Sequence, residues 1–314
     1  MKRIAILLAI MLVLPSAVPT AANAAGFAKV GTFGGQFLKI GTSARATGMG
    51  SAFSGVADDA NAVFWNPGGL VNVLGNEVSV NHVVWAADTK LSSAIVAFNP
   101  RTIPGTFAFS LRSFWMDPQL ERTAYNPEGT GRTFDAGSTT MGLSYARFFT
   151  DKFSAGFTLN YLHMGLAESA VNSGSFDFGI MYRIGVKDLK LGMVIQNLGG
   201  NFTFDERESK LPLTFKVGTS FNAWKNERQR MTVALEFQHP SDNLERANAG
   251  VEYALNDLFF ARGGYHINYD TDGASFGFGA AIPTGESTRM QADYSGVDMG
   301  PLGLVHRMTV SVMF

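Results

Sequence analysis

The chain has 314 residues, a formal net charge of −1 and a pI near 6.5, which gives no electrostatic case for nucleic acid as a partner. Charged residues make up 16%, well below the roughly 25% usual in soluble proteins, while Gly (35) and Phe (26) are abundant. There is no cysteine, so disulfides and thiolate chemistry are excluded.

In chain order, Lys2-Arg3, the apolar run from Ile4 to Leu14, Pro15 and the small residues Ala22-Asn23-Ala24 read as a secretory signal peptide. The run is too short to cross a bilayer as a helix, so residues 1–24 are expected to be removed by cleavage near Ala24. No later segment holds the eighteen or so consecutive apolar residues that a membrane helix requires. Residues 25–76 lack strand-like alternation and carry Arg45, Gly48, Gly50, Asp58, Asp59, Trp65, Asn66 and Pro67. Asp58 or Asp59 can cap a short helix by accepting from the free amides of its first turn. Pro67 biases Asn66 out of helical geometry and should end that helix. A compact, Gly-rich segment of this kind ahead of a barrel reads as an N-terminal hatch that folds into the lumen, and these eight residues are its gate candidates.

From residue 77 to the end, short stretches alternate in polarity, and alternate side chains of a strand point to opposite faces. Phe153, Ala155, Phe157, Leu159 and Tyr161 oppose Ser154, Gly156, Thr158 and Asn160; Met231, Val233, Leu235 and Phe237 oppose Arg230, Thr232, Glu236 and Gln238. Fourteen such strands are expected, at roughly 77–85, 91–99, 105–114, 139–149, 152–164, 175–184, 187–197, 211–222, 230–238, 247–255, 258–267, 273–283, 288–296 and 305–314. Connections near 149–152, 185–188, 255–257 and 284–287 are tight, whereas 115–138, 165–174, 198–210 and 297–304 are longer. Short turns at one rim and longer loops at the other, with an even strand count, describe a transmembrane antiparallel β-barrel. The fold class is therefore all-β, with residues 77–314 as the barrel. Because charges facing lipid are costly, Arg112, Lys190, Lys216, Glu236, Glu252, Arg262 and Asp293 are assigned to the lumen. The terminal strand alternates up to Phe314 and resembles the signal read by barrel-insertion machinery.

The run Ser43-Ala44-Arg45-Ala46-Thr47-Gly48-Met49-Gly50, with Asp58-Asp59 and Trp65-Asn66-Pro67, closely resembles the opening of the PorV/PorQ family of outer-membrane proteins, within the FadL-like barrel superfamily. The resemblance continues through Ile195-Gln196-Asn197-Leu198-Gly199, Arg262-Gly263-Gly264-Tyr265, Asp293-Tyr294 and Phe314. It implies a fourteen-stranded barrel with a hatch in the cell outer membrane. It also implies a non-enzymatic role in handling secreted proteins, as an accessory to type IX secretion. The alternative it implies is a FadL-like channel for hydrophobic small molecules such as long-chain fatty acids. Expected partners are outer-membrane lipid, the barrel-assembly machinery, secreted proteins or secretion-complex subunits, and hydrophobic small molecules. Gly68 departs from the FadL-like Asn-Pro-Ala pattern, and the missing methyl is expected to loosen the hatch.

Other motifs carry less. Gly48-Met49-Gly50 lacks the spacing of a phosphate loop. Asn268 to Gly273 mimics the start of a calcium loop, but its twelfth position is Gly279 where a bidentate Glu is needed. The five His are scattered, so no metal and no cofactor is expected. No nucleophile with an oriented base stands out, so no catalytic residue is assigned. A soluble, secreted all-β protein is the remaining alternative to the barrel.

Overall fold

Strands that are apolar on one side and small or polar on the other need two environments at once, and in lipid every backbone amide must also be paired. Closing the sheet on itself meets both demands. The computed structural model describes residues 31–314 except 101, 205 and 286; the signal-peptide assignment lies outside the described residues. The strands are β1 (Glu77–Val84), β2 (Thr89–Phe98), β3 (Thr106–Met116), β4 (Gln119–Leu120), β5 (Thr133–Phe134), β6 (Ala136–Phe148), β7 (Phe153–Leu166), β8 (Ser169–Ile184) and β9 (Leu189–Gly199). They continue with β10 (Phe202–Phe204), β11 (Arg207–Ser209), β12 (Thr214–Lys225), β13 (Gln229–Pro240), β14 (Arg246–Leu255), β15 (Phe259–Ile267), β16 (Ala274–Pro283), β17 (Arg289–Asp298) and β18 (Leu304–Met313).

Fourteen of these form a closed antiparallel barrel in which each strand pairs with its chain neighbours, and β1 closes the ring against β18 from Glu77↔Met313 to Val84↔His306. Reciprocal backbone bonds of 2.9 Å between Asn76 and Phe314 extend that seam past the last paired residues. All fourteen strands read from the sequence are present. The tight turns arise as expected: Lys187 and Asp188, and likewise Asn256 and Asp257, have positive φ at both central positions, the backbone twist that suits a two-residue hairpin.

One connection differs from the sequence reading. Residues 165–174 are expected to be a longer loop, but β7 and β8 run on to Leu166 and Ser169 and turn within two residues. Small and polar residues fill this extension, with Val171 packed against the cluster of Phe37, Leu162, Met164 and Phe202, so too little apolar alternation remains to mark a strand. The long connections 115–138 and 198–210 contain small hairpins of their own, β4 with β5 and β10 with β11.

The outer face is an apolar belt. Leu143, Leu159, Leu235, Phe237, Phe278 and Met308 are exposed on it, and a ladder of rings crosses the strands from Phe98 through Phe107 and Tyr145 to Phe157 and Phe176. The inner face carries Ser79, Asn81, Ser93, Ser110, Ser144 and Thr158, all buried. Leu235 sits mid-strand on the lipid side, so Leu235→Arg should cost about 2–4 kcal/mol. The expected result is loss of the heat-modifiable, membrane-inserted form on gels; normal insertion would mean that this face does not meet lipid.

Candidate functional site

The N-terminal segment is built from short pieces: a 3-10 turn at Gln36–Lys39, a helix at Ala44–Gly48, a one-turn helix at Ala62–Trp65 and a 3-10 helix at Pro67–Asn72. None could stand alone, since helices this short are unstable in water. Ser43 caps the first helix by accepting from the Ala46 amide. Asp59 Oδ1 accepts from the Asn61 amide at 2.9 Å just ahead of the second, while Pro67 opens the 3-10 turn and so marks the helix end, as expected. Tertiary contacts supply the rest. The segment meets inward-facing residues of the barrel strands all round the ring, and Phe53, Val56, Val63, Trp65 and Leu70 form one buried cluster with Ile95, Ala97, Ala108, Ala146, Met181 and Ala234 of the wall.

Many polar groups at the same contact are paired, although Trp65 Nε1 and Thr42 Oγ1 are buried without a partner. The Ala44 amide donates to Thr309 Oγ1, Thr47 Oγ1 meets Ser295 Oγ, and the Gly50 amide donates to Ser275 Oγ, at 2.9, 2.9 and 3.0 Å. Glu236 Oε2 accepts the amides of Phe53 and Ser54 and the Ser54 hydroxyl. Ser220 and Ser154 donate to the carbonyls of Gly55 and Gly68, and Gln196 donates to that of Phe64. Asn66 ties three segments together: its Nδ2 donates to the Ser54 and Ile180 carbonyls, and its Oδ1 accepts from the Gly68 amide.

Close approach explains the glycines. Gly50 has φ +61°, and a Cβ there would stand 2.6 Å from the Ala249 carbonyl oxygen. A Cβ on Gly68 would stand 2.6 Å from the Gly179 carbonyl oxygen. The expectation that Gly68 loosens the segment is therefore corrected: the missing methyl lets the backbone touch the wall, and an Ala would push it away.

An ion network fastens the helix at 44–48. Arg45 Nη1 reaches Asp58 Oδ1 at 2.6 Å and Asp59 Oδ2 at 3.0 Å, while its Nε and Nη2 fork onto Glu252 at 2.9 and 3.1 Å. Glu252 is shared with Arg262, whose Nη1 continues to Asp293 at 2.7 Å. Lys190 stands 3.8 Å from Asp58 and Arg230 stands 3.9 Å from Glu252. Four cations thus face four carboxylates. Burial alone would raise the Asp58 carboxyl, but the charges of Arg45 and Lys190 outweigh it and hold it below its ordinary value. At Asp59, burial wins and the carboxyl is raised against the pull of Arg45.

The structure brings together every hatch residue picked from the sequence: Arg45, Asp58 and Asp59 in the network, Gly48 against Gly277, Gly50 against the β14–β15 wall, and Trp65, Asn66 and Pro67 in the packed layer. Trp65 packs edge-on against Phe53 with centroids 5.9 Å apart. The assigned inward charges all point inward. Arg112 donates to the Leu38 carbonyl, and Lys216 lies over the Trp65 ring at 5.2 Å. Phe314 lies apart from them, at the β1–β18 seam. Sequence reasoning missed Glu77, whose buried Oε2 accepts the Ala60 amide, and also Arg307, whose Nε donates to the Gly41 carbonyl at 2.9 Å. Both occupy inward parity positions, which is the signal that identifies them. The calcium-like Asp270 sits 3.6 Å from Arg246, a cation in the place of a metal.

Two of the cavities bordering the packed layer lie on opposite sides of it. One, of about 260 Å³, faces the loop rim and is bounded below by Thr47 and Trp65; the other, of about 180 Å³, lies toward the termini and begins at Arg45 and Asp58.

Truncating Arg45 to Gln leaves Asp59 without a cation, Asp58 with only the more distant Lys190 and Glu252 with Arg262, and breaking such a buried pairing costs about 3–5 kcal/mol. The expected result is a lowered thermal transition of the detergent-solubilised protein; an unchanged transition would mean that the network carries no stability. At the loop rim, Lys39 donates to Asp242 at 2.7 Å. Asp242 is buried, but the hydrogen bonds from Lys39 and Gln36 overcome that burial and hold its carboxyl below the ordinary value of 3.8. A depressed folded pKa means stabilisation that is complete above the unfolded value and is lost as pH falls through the folded one. Asp242→Asn should therefore melt earlier than the unaltered protein at neutral pH and converge with it in strong acid. A constant gap at all pH values would exclude the ion pair as the cause.

A family model described as "Type IX secretion system protein PorV" matches residues 23–240. A comparison with curated proteins gives no match. Among solved structures, the Ralstonia pickettii toluene transporter TbuX superposes with a TM-score of 0.62 at 12% identity, over 87% of this chain and 97% of that one. The CymD monoaromatic hydrocarbon channel gives 0.61 at 10% identity, over 87% and 96%. A FadL homologue of Pseudomonas aeruginosa gives 0.56 at 12%, over 87% and 98%. At such identities the likeness is one of fold, a closed antiparallel barrel.

Proposed function

The chain belongs to the PorV family, and from that premise we propose that it is a hatch-plugged outer-membrane channel for hydrophobic small molecules. In this reading residues 25–76 are the hatch and 77–314 the barrel. The observation that carries it is the partition: the cavity facing the loops and the cavity facing the termini are separated by the layer that holds Arg45, Thr47, Asp58 and Trp65. Every strand of the ring pairs with both neighbours, with a register break between β8 and β9 at Phe176/Phe178, so a solute crossing the lumen from rim to rim must displace that layer. Its fastening is largely polar, and hydrogen bonds and ion pairs can be exchanged for water as the layer moves. Toluene and monoaromatic hydrocarbons, named for the similar barrels, set the class of solute to test first.

A disulfide tests the gate directly. The chain lacks cysteine, and Thr47 Oγ1 lies 2.9 Å from Ser295 Oγ, one on the hatch and the other on β17. The double variant Thr47→Cys/Ser295→Cys should take up labelled toluene into proteoliposomes when reduced and cease to do so when oxidised. Equal uptake in both states would refute a moving hatch.

Protein handling in secretion is the second reading, favoured by the family description and by the paired hairpins β4–β5 and β10–β11, which carry the long loops beyond the ring. Deleting residues 119–134 should then abolish surface delivery of a secreted protein and leave toluene uptake intact. Unaltered delivery would remove this reading.

A further inference from the structure

The cavity on the loop side is unlike a hydrocarbon pocket in its charge. Its cations include Lys39 and Arg246, each neutralised by an aspartate, at 2.7 Å from Asp242 and 3.6 Å from Asp270. Three more, Arg112, Lys216 and Arg307, are at least nine-tenths buried, and among the described residues none has a carboxylate within 4.0 Å. Asp272 lines the cavity, and the buried carboxylates Asp177 and Glu236 act on Arg112 and Lys216 from beyond contact distance, so the cations are balanced in number and lack acceptors in contact. Each guanidinium spends one nitrogen on a carbonyl, Arg112 Nη1 on Leu38 and Arg307 Nε on Gly41. Lys216 Nζ has no hydrogen-bond acceptor among the described residues, and Arg112 Nε and Arg307 Nη1 are buried without one. In place of carboxylates the three cations rest against rings: Arg112 over Phe64 at 4.2 Å, Lys216 over Trp65 at 5.2 Å and Arg307 over Trp85 at 5.4 Å.

Buried cationic donors left without an acceptor are costly, and an anion entering the cavity would supply the acceptors they lack. The ring walls add apolar surface, and a volume of about 260 Å³ is small for a ligand pocket. We propose that this cavity binds a compact organic anion, a carboxylate carried on a ring or a short apolar body, above the hatch. The inference rests on the channel reading and narrows its substrate class from neutral hydrocarbon to small amphiphilic acid. The anion would sit on Lys216, Arg112 and Arg307, with its apolar part against Trp65 and Phe64, so binding would load the hatch itself.

The test is tryptophan fluorescence titration of the full chain in detergent, since Trp65 and Trp85 line the cavity. The probes are benzoate, toluene and palmitate. Benzoate should bind roughly tenfold tighter than toluene and tighter than palmitate. Lys216→Met should weaken benzoate by roughly tenfold while leaving toluene unchanged, and Lys216→Arg should restore benzoate binding, which separates loss of charge from loss of fold. Toluene binding as tightly as benzoate, or benzoate indifferent to Lys216→Met, overturns the anion site and leaves the channel reading standing. Tighter binding of palmitate overturns the compact class. Failure of all three probes to bind overturns both.

Discussion

Glu252 is the residue through which the interior is held to the wall. A carboxylate taken out of water is tolerable only when paired and hydrogen-bonded. Glu252 meets that condition by accepting from Arg45 of the N-terminal segment on one side and Arg262 of the neighbouring strand on the other. Arg45 in turn gathers Asp58 and Asp59, folding residues 43–59 back on themselves, and Arg262 passes the connection to Asp293. Remove the carboxylate, and two buried guanidiniums face each other with nothing between them.

The rest of the interface follows from the shape this clamp imposes. Small residues on the inward face leave room for a segment made of single helical turns, and glycines on both sides let backbone meet backbone where the fit is closest. The apolar side of the segment gathers around Trp65 and Phe53, while serines and asparagines of the wall complete its backbone hydrogen bonds. Apolar packing positions the N-terminal segment and polar fastening holds it, so in the proposed channel the same contacts would serve as lock and as gate. On the loop side of the same layer Lys216 rests over the Trp65 ring.

The barrel was legible because lipid on one side and a polar interior on the other force alternation in every strand that crosses. Where that force ends, legibility ends too: β7 and β8 extend through residues 165–174, where small and polar residues dominate and Val171 packs against an interior apolar cluster that no local pattern announces. The hairpins β4–β5 and β10–β11 are two or three residues per strand and leave no periodic trace. Within the candidate site, Arg45, Asp58, Asp59, Trp65, Asn66 and Pro67 could be picked out as a motif, and the inward charges by parity. Their pairing could not, because Arg45 and Glu252 lie 207 residues apart and meet only when the ring closes. Gly68 shows the same limit: a missing methyl reads as slack until the Gly179 carbonyl is seen against it.

Hydrogen exchange of the backbone amides of residues 43–69, followed by mass spectrometry in detergent for the unaltered protein and for Arg45→Gln, tests the central claim most directly. A hatch clamped through Glu252 should exchange as slowly as β12–β16 in the unaltered protein and much faster in the variant, with the barrel strands unchanged. Rapid exchange of 43–69 in the unaltered protein, or loosening of strands and segment together in the variant, would contradict a separable hatch held by this clamp.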